Sequence, residues 1–322
     1  MPGDEPTLLA DIGGTNARFT VGAQGAIDNV VTYEASAFPG PCAAIERYLS
    51  EHGSGAWPRS AAIAAAGPVT DGEIALTNSD WRIRAAELQA AFGFERVVLL
   101  HDFAAVALAV PWLEAPDLLA IGGGAAVEGE QIAVMGAGTG LGMAGLLRVP
   151  SGYRVLSSEG GHVTMAAADD REAAILSRVR ARFGHASAER VLSGDGLVNL
   201  YRAIAELEAE AEAPRRDAAG ICAAALAGDC PLCRSALETF CAMLGSVAGN
   251  LALTLNARGG LYLAGGIVPR FVDFLAASRF RERFEAKGRF SSYLASIPTS
   301  LILHPEPAFL GLLTAIESDL AP

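Results

Sequence analysis

A glycine-rich turn between two β-prone segments is the feature that most constrains the fold. The segment "LLADIGGTNARFTV", residues 8–21, joins an apolar run that includes Asp11 to a second strand-type run through two glycines and Thr15. A dinucleotide-binding turn needs G-x-G-x-x-G before a helix, and a Walker A loop needs a glycine–lysine pair. Neither is present, since the sole lysine, Lys287, precedes a glycine. Two interpretations remain: a plain hairpin turn, or a turn whose amide groups bind an anion.

A second segment has the same plan. In "IAVMGAGTGLGMAGLL", residues 132–147, a strand-type run is followed by a glycine-rich turn with Thr139 and another apolar run. Two such hairpins predict two similar halves. The alternative is chance recurrence in a chain that contains 36 glycines.

Short apolar runs alternate with amphipathic helical patterns, and this alternation predicts an α/β fold. The helical patterns include residues 171–183, a segment that starts at Pro269, and an acidic stretch that ends near Pro214. The strand-type runs are residues 8–12, 19–21, 61–66, 97–100, 132–135, 261–264 and 301–304.

Six further residues could carry chemistry. Asp102 follows a buried strand pattern, where a carboxylate either caps the next helix or acts as a general base. Glu159 and His162 flank two glycines and could contact a ligand, whereas a metal site would need a third ligand. Glu189 is either a solvated side chain or an acceptor. Gly265 and Gly266 follow a strand pattern, and their turn could admit a flat ring or an anion.

Composition excludes some classes of function. The net charge of −12 and the isoelectric point near 4.9 argue against nucleic-acid and anionic-membrane partners. No uninterrupted apolar run approaches the ~20 residues of a membrane span, and the acidic N-terminus lacks the pattern of a secretory signal. We therefore predict a cytoplasmic protein. Its five cysteines include the C-x-x-C of Cys230 and Cys233, which we interpret as small apolar filler in a helix rather than a redox or zinc site.

Eight segments in order resemble the bacterial ATP-dependent glucokinase family. They are "ADIGGTNARF", "LTNSDW", "HDFAAVALAVPWL", "GAGTGLG", "EGGHV", "SAERVLSGDGLVNLYRAI", "AGGIVPRF" and "FEAKGRFSSYL". The zinc motif of the related repressor and kinase family is absent from the sequence, so the resemblance is to the zinc-free branch. It implies an α/β, two-domain actin-like ATPase (ribonuclease H-like) fold with a central cleft. Residues 1–112 plus 303–322 would form the small domain, and residues 113–302 the large one.

The resemblance also implies a site for glucose and for ATP with Mg²⁺. Asp102 would be the catalytic base, no protein side chain would bind the metal directly, and Mg²⁺ would be held through ATP and water near Asp11. The sugar-binding residues would be Asn78, His101, Asp102, Glu159, His162 and Glu189. The ATP-binding residues would be Asp11, Ile12, Gly13, Gly14, Thr15, Asn16, Gly136, Gly138, Thr139, Gly140, Gly265 and Gly266. A homodimer is the assembly that the resemblance implies.

One departure from the family leaves alternatives open. The family normally has asparagine where this chain has His101, and a neutral imidazole offers fewer hydrogen-bonding groups than an amide. A kinase for another hexose is therefore the first alternative. A sugar-binding regulator without catalysis is the second, although the sequence shows no basic patch for DNA. An ATP-driven assembly protein or chaperone would lack the set of Glu159, His162 and Glu189.

Overall fold

The computed structural model describes residues 5–23, 26–27, 29–52, 57–77, 79–150, 152–209 and 213–317. The chain forms two compact units. The first contains Met1–Glu114, Ala144–Ser157 and His304–Pro322, and the second contains Ala115–Met143 and Ser158–Leu303. The domain boundaries predicted from the resemblance stay a prediction; they place residues 144–157 in the large domain, whereas these residues belong to the first unit.

The strands and helices alternate along much of the chain. The strands are β1 Thr7–Ile12, β2 Asn16–Ala23, β3 Ala26–Ile27, β4 Val31–Glu34, β5 Ser60–Ala65, β6 Val69–Thr70, β7 Glu73–Ala75, β8 Arg82–Arg84, β9 Arg96–His101, β10 Leu118–Gly122, β11 Ile132–Ala137, β12 Leu141–Val149, β13 Gly152–Ser158, β14 Leu261–Ala264 and β15 Thr299–Ile302. The helices are α1 Pro41–His52, α2 Ala85–Phe92, α3 Asp102–Ala109, α4 Asp170–Phe183, α5 Gly194–Leu207, α6 Ala218–Ala227, α7 Pro231–Leu255, α8 Val272–Ala277, α9 Phe280–Glu285, α10 Ser291–Ser296 and α11 Pro307–Glu317.

The main sheet of the first unit has the strand order β3-β2-β1-β5-β9, with β4 paired to β2. Strand β1 is antiparallel to β2 but parallel to β5, which is in turn parallel to β9. The register aligns Ile12 with Ala65 and Ala65 with His101. The carboxyl ends of β1, β5 and β9 therefore lie at one edge of this sheet, where α/β proteins place their ligands.

Helix α3 is held beneath this edge by a close helix contact. All its residues from Ala104 to Ala109 are buried, and it packs against α11. A Cβ atom on Gly311 of α11 would lie 1.7 Å from the carbonyl oxygen of Ala105. The two backbones can approach this closely only because residue 311 has no side chain.

The second unit is built on a sheet that contains the strand order β10-β15-β14-β11. Strand β14 is parallel to both β11 and β15. Helices α4, α5, α6, α7 and α9 contribute to its large apolar core. By length and composition alone α7 could cross a membrane, but 78% of its most apolar window is buried within the fold, as in a core helix.

The C-x-x-C motif lies at the start of α7. The Cys230 sulfur accepts a hydrogen bond of 3.3 Å from the backbone amide of Cys233 and so caps the helix. Burial, together with the contact to Cys230, raises the pKa of the Cys233 thiol to about 12. The thiol therefore stays protonated near neutral pH, as expected for a structural cysteine.

Two helix predictions were wrong in extent. The segment from Pro269 does not form one helix: a 3₁₀ turn, Val268–Phe271, is followed by α8, and Ser278 interrupts the chain before α9. The helix that contains the start of the acidic stretch, α5, ends at Leu207 and not near Pro214. The predicted strands are present with shifts of up to three residues at their ends.

Candidate functional site

The turn between β1 and β2 exposes backbone as predicted. Ile12 is buried and fixes the end of β1, while the Gly13 amide donates to the Asn16 carbonyl over 2.9 Å and closes the turn. Between them Gly14 and Thr15 are exposed. The geometry of this turn leaves amide and hydroxyl donors open to a ligand.

Asp11 takes part in an ion-pair network. Its carboxylate pairs with Arg18, the residue directly opposite on β2, and Arg18 also donates to Glu306 over 2.5 Å. Burial raises the pKa of the Asp11 carboxyl, and the positive charge of Arg18 opposes that rise. Asp11 is thus partly neutralised by the protein itself, which fits a carboxylate that contacts a hydrated cation rather than binding one directly.

Asp102 is the first residue of α3, immediately after β9. Its Oδ1 accepts a hydrogen bond of 2.7 Å from the Phe103 amide, which orients the carboxylate, and about a third of its side chain is exposed. The sequence leaves two roles open for this residue, helix capping and proton transfer. Here one oxygen contacts the helix start while the side chain remains accessible.

His101 is the N-cap of α3. Its Nδ1 accepts from the Phe103 amide at 3.3 Å and lies 3.2 Å from Oδ1 of Asp102. The imidazole is almost wholly buried. The residue that departs from the family pattern therefore contacts the proposed base and its helix.

The turn after β1 and the start of α3 share one sheet edge. Only β5 separates β1 from β9, and neighbouring strands lie about 4.8 Å apart, so the two strand ends are about 10 Å apart. This spacing suits two groups that contact different parts of one bound molecule. Asn78, the remaining sugar-binding candidate of this part of the chain, lies outside the described residues.

The glycine turn between β11 and β12 is braced by a helix. The Gly138 amide donates to the Gly140 carbonyl over 2.8 Å, and the Gly194 amide donates to the Gly138 carbonyl over 2.9 Å. Gly194 is the first residue of α5, whose N-cap is Ser193. Thr139, at the tip of the turn, is exposed. The positive end of the α5 dipole therefore lies beside this turn, an arrangement that favours anions.

Glu189 closes the other side of the same turn. Its Oε2 accepts from the Leu141 amide at 2.9 Å, and a Cβ on Gly140 would lie 2.5 Å from that oxygen. Glycine at position 140 is thus needed for the carboxylate to reach the backbone.

The structure brings together the predicted set of Glu159, His162 and Glu189. The His162 Nε2 lies 4.0 Å from the Glu159 carboxylate, and its Nδ1 lies 3.9 Å from that of Glu189. The Glu189 amide donates to the Gly161 carbonyl. A Cβ atom on Gly161 would lie 2.0 Å from the Leu141 carbonyl oxygen. About half of the His162 side chain is exposed. This trio presents two acceptors and an imidazole, the groups that hydrogen-bond to a polyol.

Gly265 and Gly266 lie at the carboxyl end of β14, next to the end of β11. Gly265 has a φ of +88°, and a Cβ on it would lie 2.5 Å from the Ala137 carbonyl. The same carbonyl accepts from Ile267. Only a 3₁₀ turn follows, so the expected helix start is not formed there. The first residues of α5 instead lie beside the neighbouring second glycine turn, Gly138–Gly140.

Four contributing residues were not predicted from the sequence. Arg18 could have been found, since its hairpin register places it opposite Asp11. Ser193 and Gly194 carry a recognisable N-cap pattern. Glu306 gave no signal, because its contact with Arg18 spans almost the whole chain.

Comparison with known proteins assigns the chain to a family. The family model described as "Glucokinase" matches residues 8–319. The chain belongs to the glucokinase family. A curated glucokinase from Paramagnetospirillum magneticum is 51% identical over 95% of both chains. The predicted family and the predicted ATP-dependent glucokinase activity are thereby confirmed.

Solved structures agree with this assignment. A glucokinase from an Antarctic psychrotroph superposes with a TM-score of 0.86 at 40% identity, covering 97% of this chain and 99% of the other. A Streptomyces griseus ROK-family glucokinase, solved with glucose and AMPPNP, shares the fold at 20% identity, with a TM-score of 0.66 and coverage of 98% and 99%. The predicted α/β actin-like ATPase fold is confirmed.

Proposed function

We propose that this glucokinase-family chain transfers the γ-phosphoryl group of ATP to the C6 hydroxyl of glucose, with Asp102 as the general base. The observation that carries the proposal is the position of Asp102. It follows a parallel strand at the sheet edge that also holds the first glycine turn, its carboxylate is oriented by the Phe103 amide, and its side chain is accessible. A base of this kind accelerates proton transfer by about 10²–10⁴-fold.

Each step of the transfer has a group in this chain to support it. Asp102 accepts the proton of the sugar hydroxyl as that oxygen attacks the γ-phosphorus. The bond from this phosphorus to the bridging oxygen breaks, and ADP leaves. The amides of the two glycine turns, Gly13–Thr15 and Gly138–Gly140, would hold the phosphate oxygens. The helix dipole of α5 adds to the second turn.

Mg²⁺ would supply charge neutralisation on the phosphates when bound. We assign Asp11 to contact the water shell of the Mg²⁺ ion, because this residue lies next to the first glycine turn. Arg18 already donates to its Oδ2. Within the described part of the chain no three His, Cys, Asp or Glu side chains form a metal-binding group. Removal of divalent cations by EDTA should abolish turnover, and excess Mg²⁺ should restore it.

Glu159, His162 and Glu189 are the groups we assign to the sugar hydroxyls, together with His101 and with Asn78. The Glu159 and Glu189 carboxylates each lie within 4.0 Å of the His162 imidazole, and these three groups can accept from vicinal hydroxyls. A sugar that lacks one of those hydroxyls would leave a polar group of the protein without a partner. Its kcat/KM should therefore be far below that of glucose.

The decisive experiment replaces Asp102 by asparagine. Asp102→Asn keeps the size of the side chain and an oxygen for the Phe103 amide, so glucose affinity by calorimetry should be retained while kcat falls by at least ~10²-fold. Asp71→Asn is the matched control, since Asp71 is exposed in a left-handed turn that asparagine also adopts. Its kcat should equal that of the wild type. Near-wild-type turnover in Asp102→Asn would exclude Asp102 as the base.

A kinase for another hexose is the second candidate, because His101 replaces the family asparagine. A coupled ADP-release assay across glucose, mannose, fructose and N-acetylglucosamine distinguishes the two by kcat/KM. A sugar-binding regulator would bind glucose in calorimetry and release no ADP in this assay.

We also propose a cytoplasmic homodimer. The relatives that support a family assignment are metabolic kinases, and the resemblance implies a dimeric assembly. Light scattering coupled to size-exclusion chromatography would give twice the 33.2 kDa chain mass; a single-chain mass at micromolar concentration would refute the dimer.

A further inference from the structure

A groove of about 650 Å³ lies in the second unit, and none of the residues proposed for phosphate or sugar binding lines it. Its walls are one face of α7, the residues around α9, and the segment Val163–Asp169. This volume is in the range of small-molecule sites. The lining is mixed: apolar side chains such as Met143, Val247 and Leu251 alternate with a few polar groups.

Two glycines of α7 allow α9 and the basic residues around it to lie close to α7. A Cβ on Gly245 would lie 2.1 Å from the carbonyl oxygen of Phe280, and one on Gly249 would lie 2.4 Å from that of Phe284. Helices α7 and α9 therefore touch backbone to backbone. The α7 face of Ser246 and Asn250 consequently lies beside the basic residues that accompany α9.

Two of the three basic residues in the groove are already neutralised. Arg283 donates to both oxygens of the buried Glu172, over 2.6 and 3.1 Å. Arg279 donates to both oxygens of Glu282, over 2.7 to 3.2 Å. The acidic Asp169 caps α4 by accepting from the Glu172 amide over 2.8 Å.

Lys287 is the third basic residue, and within the described ranges no carboxylate pairs with it. Its Nζ donates to the Ser246 carbonyl over 2.9 Å and to Oδ1 of Asn250 over 2.7 Å, two neutral acceptors. An ammonium group has three donors, so one N–H remains. Burial, and secondarily the charge of Arg283, lower the pKa of this amine. An anion bound beside the Lys287 amine would raise this pKa again.

We propose that this groove is a second ligand site, for a small monocarboxylate with an apolar body, and that Lys287 is its anchor. Among the basic residues that line the groove, Lys287 is the one without a carboxylate partner in the described part of the chain, and its single ammonium charge matches one carboxylate, whereas a phosphate dianion would need a second cation that the paired arginines do not offer. The exposed alanines Ala166–Ala168 and Val163 would contact the apolar body. The amide group of Asn250 is a second donor beside Lys287.

The single lysine makes this site directly observable. Protein grown with ¹³C-lysine has one lysine spin system, that of Lys287, so its Cε signals report the site without any kinase turnover. Butyrate titrated at constant ionic strength is expected to shift these signals saturably, with a dissociation constant of about 1–10 mM, as small ligands of this size reach. The pKa of Lys287, followed by the same signals, should rise when butyrate is bound.

Controls separate this proposal from its alternatives. Butyramide, the uncharged isostere, should bind at least tenfold more weakly, and so should inorganic phosphate. Ala167→Glu should weaken butyrate binding by about fivefold, the effect of a unit charge at about 4 Å in water, whereas Ala167→Gln should not. Both variants should retain wild-type kcat with glucose.

Several results would overturn the proposal. They are the absence of a saturable shift, equal shifts with butyramide, or tighter binding of phosphate. Signals that respond to protein dilution but not to butyrate would instead mean that a second copy of the chain covers the groove. All binding measurements are made without glucose or ATP, so they do not depend on the proposed catalytic roles.

Discussion

The buried ion pair of Glu172 and Arg283 allows a quantitative test of how the second unit is held together. Both side chains are about 5% exposed, the guanidinium donates to both carboxylate oxygens, and Oε2 also accepts from the Ala168 amide over 2.8 Å. Glu172→Gln keeps the shape and removes the charge, which leaves the Arg283 charge buried without compensation. Loss of one partner of such a pair costs about 3–5 kcal/mol.

This loss converts to a shift of the melting temperature. A unit of this size loses about 2–4 °C per kcal/mol, so Glu172→Gln should lower the calorimetric transition of the second unit by about 6–20 °C. Glu282→Gln is the matched control, because the same substitution there breaks the exposed pair with Arg279. An exposed pair of this kind contributes about 0–1 kcal/mol.

A double variant separates charge from packing. Glu172→Leu combined with Arg283→Met removes both charges, and apolar replacement of a buried pair is often neutral or stabilising. The double variant should therefore melt above Glu172→Gln. If Glu172→Gln costs no more than Glu282→Gln, the pair is not desolvated in the way its burial indicates, and the reasoning fails.

Three further predictions concern other parts of the fold. Gly311→Ala should lower the stability of the first unit by about 1–3 kcal/mol through overpacking against α3, whereas Gly40→Ala, with open space around it, should not; urea denaturation compares them. His101→Leu should cost about 1 kcal/mol through loss of the N-cap acceptor, while His101→Asn, also a good N-cap, should not. Lys287 binds protons less readily when native than when unfolded, so stability should rise with pH from its native pKa to about 10.5; Lys287→Met should lack that rise in urea midpoints measured between pH 8 and 11.

The sequence predicted what depends on local pattern. The glycine turns, the strand before Asp102 and the grouping of Glu159 with His162 follow from short segments whose chemistry is visible by itself. The family assignment came from the order of eight such segments. These are features that neighbouring residues determine.

The rest depends on contacts between distant segments. The start of α5 beside Gly138, the pairing of Arg18 with Glu306, and the groove at Lys287 all arise from packing that no local pattern encodes. The prediction of one long helix from Pro269 was wrong for a related reason, since tertiary packing favours a 3₁₀ turn and two short helices there. The family resemblance predicts His101 only as a sugar contact, and its role as the N-cap of α3 follows from the backbone geometry.

The first unit is completed by the last segment of the chain. Its elements β1, β5, β9 and α3 contact α11, which is synthesised some two hundred residues after α3. On the ribosome, all of the second unit emerges before α11 does. The apolar surface of α3 that contacts α11 therefore stays uncovered until α11 is synthesised. A stop codon a few residues before Pro307 would leave that surface permanently exposed to aggregation or proteolysis.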